Sequence, residues 1–140
     1  MKLKHLFTAL LAAAALSVPA FAEEDTPLGK EMEKVGKALK GVNRSLADAS
    51  AKDANLAKIA EIKEALTKAL DLEPAKAKDV PAADKAKFIA DYKAAMQETI
   101  KGVDELKAAV EAGKTDDAKK VMEKLGGQKK EGHKQFKKED

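Results

Sequence analysis

Cysteine and tryptophan are both absent from the 140 residues, and aromatic side chains make up only 4% of them. Without cysteine, an exported fold must stand without disulfides, and thiolate zinc sites are excluded. Without tryptophan, and with so few aromatics, there is little surface on which bases could stack, so nucleic acid is not an expected partner. β-Branched residues are sparse and no alternating strand pattern occurs. Histidine occurs twice, as His5 and His133. No nucleophile–base pair and no cluster of carboxylates suggests an active site, so an enzyme is not expected.

The chain does have a conspicuous beginning. MKLKHLFTALLAAAALSVPAFA opens with Lys2 and Lys4, continues through an apolar run from Leu6 to Val18, and closes on Ala20-Phe21-Ala22. This is the pattern of a secretory signal peptide, with an apolar part too short for a membrane anchor. Cleavage is expected after Ala22, which leaves residues 23–140 as one small domain in the periplasm with no stable membrane insertion. The whole sequence has a formal charge of +3, but removing the two lysines leaves 25 basic against 24 acidic side chains. The basicity belongs mostly to the leader.

Alanine, lysine, glutamate and leucine dominate the remainder, a composition that favours helix. Thr26 and Pro27 suit the N-cap and first position of a helix expected to run to Ala49. Its stripe is Leu28, Met32, Val35, Leu39, Val42 and Leu46, spaced alternately by four and three. A second helix is expected over residues 53–72, facing inward with Leu56, Ile59, Ile62, Leu66 and Leu70. After the proline-bearing EPAKAKDVPAAD comes a third over 82–112, with Ile89, Tyr92, Met96, Thr99, Val103, Leu106 and Val110. Gly113 reads as its C′ residue and Thr115 as the cap of a fourth helix, which carries Ala118, Val121, Met122, Leu125, His133 and Phe136. Four amphipathic helices with mostly short connections predict an all-α, up-down-up-down antiparallel four-helix bundle.

That topology brings the start of the first helix and the end of the fourth to one end. Met32 and His133 then lie at similar depth, on the order of 7 Å from that end at about 1.5 Å per residue. Leu70, Phe88, Ile89, Tyr92 and Met96 are expected around them. Gly29, Gly36, Gly126, Gly127 and Gly132 sit inside helical segments of the same end, each at a cost of roughly 1 kcal/mol relative to alanine. A thioether, an imidazole and missing side chains fit a haem held by two axial ligands. They equally fit a core-filling methionine, a histidine that complements the helix dipole, and a frayed helix end. A copper site using methionine and histidine is a further option, disfavoured because only one histidine survives cleavage. The spacing leaves these open.

Three segments resolve the choice by likeness. LGKEMEKVGKALK carries Met32, GGQKKEGHKQFKK carries His133, and DYKAAMQETIKGVDELKAAVEAGK lies between them. Together they resemble the soluble cytochrome b-562 family, exported four-helix bundles that bind one noncovalent haem b. The resemblance implies that Met32 and His133 are the axial ligands and that Tyr92 and Met96 lie against the macrocycle. It also implies that Lys129 stands near a propionate. Met96 departs from the aromatic residue usual in the family, and Gly132 replaces the aromatic that often precedes the histidine. A covalent c-type attachment would need cysteines at Lys129 and Gly132. The implied function is periplasmic electron transfer with a redox protein partner, by a monomer. Lys129, Lys130, Lys134, Lys137 and Lys138 could steer an acidic partner, but they read at least as well as solvated lysines complementing the helix C-terminus, and Glu139 and Asp140 dilute the patch. The alternative is a haem-free periplasmic helical chaperone or adaptor.

Overall fold

The computed structural model describes residues 25–138, so the leader and its expected cleavage point lie outside the described residues. Among those described there are four α-helices and no strand. They are α1 (Pro27–Ser45), α2 (Lys52–Ala69), α3 (Ala82–Glu111) and α4 (Thr115–Phe136), with short 3-10 turns at Ala49–Ala51 and Ala75–Asp79. Each helix packs on the next in sequence, and the short connections make the neighbours antiparallel. The expected four-helix bundle is what forms.

The predicted stripes form the core. Val42, Ile59, Ile62, Leu66, Val103, Leu106 and Leu125 are essentially inaccessible to solvent. Burying such side chains stabilises by about 1.5–3 kcal/mol each. Gly102 lets α3 and α4 approach closely here, since a Cβ on it would fall 2.9 Å from Leu125 Cδ2.

The helix ends differ in how far the sequence anticipated them. Thr26 caps α1 as expected, its Oγ1 accepting from the Gly29 amide at 2.9 Å, with Pro27 at the first helical position. Gly113 has φ 67°, the left-handed conformation expected of the C′ residue. Thr115 is not a cap. The amides of Gly113 and Lys114 fold back onto Val110 and Ala109, and the chain re-enters helix at once, with Lys114 in the N-cap position and no side-chain cap. α1 stops at Ser45, short of Ala49, because the Ser45 carbonyl accepts from Asn55 Nδ2 at 3.2 Å and Asp48 caps the following 3-10 turn. α2 begins at Lys52 and ends at Ala69. There the Ala69 carbonyl accepts from the buried Tyr92 hydroxyl at 2.7 Å, which satisfies a group that a helix end otherwise leaves open. Burial pushes the Tyr92 phenol up to about 12.

Candidate functional site: a cleft on the α1–α4 seam

α1 and α4 close the bundle only nominally, for they barely touch. The seam between them opens into a cleft of about 610 Å3, within the range that suits a cofactor or other small molecule. Helical spacing explains which residues reach it. Met32, Gly36 and Leu39 are four and three apart on α1, and Lys129, His133 and Phe136 are four and three apart on α4. Its inner wall is apolar and comes from all four helices, with Leu66 of α2 beside Met96, Val103 and Leu125.

All five residues predicted for the site line this one cleft: Met32, Tyr92, Met96, Lys129 and His133. Met32 is half-buried against the core, while Tyr92 and Met96 are buried in it. His133 is exposed, contrary to a simple inward placement. The open seam is the reason, because α4's side chains there face solvent as well as the cleft. The His133 backbone carbonyl takes the Lys137 amide at 3.0 Å and so belongs to the closing turn of α4. Phe136 anchors that turn edge-on between Phe88 and Tyr92, with ring centroids 5.5 and 5.6 Å away.

The glycines divide into two groups. Gly29, Gly36 and Gly132 line the cleft, whereas Gly126 and Gly127 are exposed, and a Cβ on either would meet nothing within 4 Å. Across the seam, Lys129 Nζ lies 3.6 Å from where a Cβ on Gly36 would be. A side chain at position 36 would therefore meet the ammonium group that crosses the mouth. Leu70, Phe88 and Ile89, expected around the site, do not line it; Leu70 and Phe88 instead support the core behind it. Gln128 does line it and was missed. Its Oε1 is buried with no hydrogen-bond partner. Gln128 stands three residues after Leu125, so helical spacing could have placed it on the inward face, but its polar side chain kept it off a stripe read from apolar residues.

Among the described residues no group of histidine, cysteine or carboxylate side chains could by itself hold a metal ion. The donors that line the cleft include the thioethers of Met32 and Met96, the imidazole of His133 and the carboxylates of Glu33, Glu98 and Glu131. A thioether with an imidazole is a pair that iron within a porphyrin accepts. The apolar walls, the absent side chains at Gly36 and Gly132, and a cationic group at the mouth fit a broad planar cofactor with acidic substituents. The fold and cleft define a cofactor-binding four-helix bundle.

The family model described as cytochrome b562 matches residues 27–137, and the chain belongs to that family. Its members are haem-binding electron carriers rather than enzymes. No curated protein and no solved structure matches the chain.

Proposed function

We propose that this chain is a periplasmic electron carrier holding one noncovalent haem b, with Met32 and His133 as the axial ligands. The observation that carries this reading is the placement of these two donors on opposite sides of one apolar cleft, on helices that leave their seam open. Met32 and His133 would hold the iron between them, and a thioether–imidazole pair would raise its reduction potential relative to bis-histidine ligation.

The protein's own contribution is to hold its groups in place. Met32 and His133 sit within regular helix, so neither ligand depends on a mobile loop. Val103, Leu125 and Leu66 keep water from the inner wall. Tyr92 offers its ring to the cleft while its hydroxyl is engaged by Ala69. Met96 supplies a polarizable side chain of the kind that packs well against rings. Lys129 offers a cation at the mouth for a carboxylate. Export rests on the leader, and the family is typically periplasmic. Among the described residues no helix is long and apolar enough to cross a membrane.

Two variants test the ligand pair. Met32→Ala is expected to leave the bundle folded and convert bound iron to a five-coordinate or water-ligated spectrum. His133→Ala is expected to weaken haem retention more severely. If both variants keep the wild-type spectrum, the ligand assignment is wrong. A chaperone or adaptor would be indifferent to both changes, and a copper site would lose metal without ever showing a porphyrin band.

A further inference from the structure

On α1, α2, α3 and the first half of α4, eight lysines are matched with carboxylates one helical turn away. Lys34 pairs with Glu31, Lys101 with Glu98 and Lys120 with Asp117, the acid standing three residues earlier each time. Among the described residues Lys30, Lys40, Lys58, Lys93 and Lys114 have no such partner either, but they are scattered along the chain. The second half of α4 and its end instead gather Lys129, Lys130, Lys134, Lys137 and Lys138, with one acid, Glu131, among them. The residues three before Lys129 and Lys130 are Gly126 and Gly127. The residue three before Lys134 is Glu131, but its carboxylate accepts from Gln135 Nε2 at 2.8 Å instead. Among the described residues, no carboxylate pairs with Lys129, Lys130 or Lys134.

The two glycines make this more than an excess of charge. Both are exposed within a helix, where each costs roughly 1 kcal/mol relative to alanine, and neither makes room for any neighbour. Glycine allows another molecule's backbone to approach closely. No exposed apolar side chain stands on this stretch, since Leu125 and Phe136 are buried, so it lacks the means to insert into a lipid surface.

We infer that the α4 face bearing Gly126, Gly127, Lys130 and Lys134, with Lys129 at its edge, docks an acidic protein. As a docking site for a redox partner, the inference rests on the haem reading, because this face belongs to the helix that carries His133. Unmatched lysines provide long-range attraction and orientation, while the bare glycine surface allows a close final approach.

The test uses the purified chain, a fluorescent poly-L-glutamate peptide at low ionic strength, and the Soret band of each sample after haemin addition. The double variant K130E/K134E is expected to bind the peptide about tenfold more weakly than wild type, with the attraction fading as salt is added. K93E/K114E makes the same change in net charge at exposed lysines elsewhere and is expected to change binding by less than about twofold. Equal losses in both variants would overturn the inference, leaving only net charge. So would retention on phosphatidylglycerol vesicles without peptide binding. A missing Soret band in wild type would sink the haem reading separately, with the peptide comparison still deciding whether this face recognises acidic chains.

Discussion

The two ends of the bundle treat their buried polar groups differently. At the end where α1 passes to α2, Asn55 is 1% exposed and fully engaged. Its Nδ2 donates to the Ser45 carbonyl at 3.2 Å and its Oδ1 accepts from Ser45 Oγ at 2.6 Å. Lys52 Nζ donates to the Glu111 carbonyl at 2.7 Å, tying the start of α2 to the end of α3. The space left there is about 130 Å3. At the opposite end the cleft is about 610 Å3, Gln128 Oε1 has no partner, and helix-weakening glycines stand at positions 29, 36 and 132. A buried polar atom without a partner costs about 1–3 kcal/mol. The closed end holds the fold together so that the open end can forgo packing for a ligand.

If that division is right, the largest loss of stability comes from the closed half. Leu106→Ala is expected to destabilise by about 2–5 kcal/mol in urea unfolding, while a folded sample still takes up haemin. Asn55→Ala removes both sides of the link to Ser45 and is expected to cost about 1–3 kcal/mol, read as a lowered thermal midpoint. A cofactor spectrum altered as much as the stability would erase the distinction between the ends.

Tyr92 joins the two functions and sharpens the comparison. Tyr92→Phe is expected to cost about 1 kcal/mol in chemical denaturation, with the cleft still able to bind. Its pH dependence has a definite sign. The phenol is pushed up to about 12 in the folded chain from an ordinary value of 10.0, so between those values the unfolded chain has lost a proton that the folded chain keeps. Tyr92 therefore contributes stability that is fully present below pH 10 and falls as pH rises towards 12, by at most about 1.4 kcal/mol per pH unit. Stability measured across that range should show this component in wild type and lack it in Tyr92→Phe.

The smallest expected change has the opposite sign. Gly126→Ala and Gly127→Ala each fill open space on an exposed helix, and each is expected to stabilise by about 0.5–1 kcal/mol in guanidinium titrations. Destabilisation by either would mean that these glycines serve the fold itself.

Much of this was legible in the sequence because it follows from helical spacing. The stripe Val35, Val42, Leu46 and its counterparts on the other helices set the core, and Thr26, Pro27 and Gly113 mark helix ends through local backbone chemistry. The five residues predicted for the site line one cleft, a convergence that the family resemblance had implied. Long-range contacts were not legible. Nothing near Ser45 announces that Asn55 will take its carbonyl and end α1, and Thr115 resembles a cap until the fold-back at Gly113 pre-empts it. The 3-10 turn Ala75–Asp79, whose Ala77 is buried, is too short to show a period. The exposure of His133 and the orphaned amide of Gln128 follow from how far apart α1 and α4 stand, which no stripe encodes.

The central claim is most directly tested by haemin titration of the mature protein, with absorption spectra recorded oxidised and then dithionite-reduced. Saturation at one haem per chain, a narrow Soret band and sharp reduced α and β bands are the predicted result. An absence of specific uptake by the folded bundle would contradict the account, leaving the α1–α4 cleft without the cofactor proposed for it.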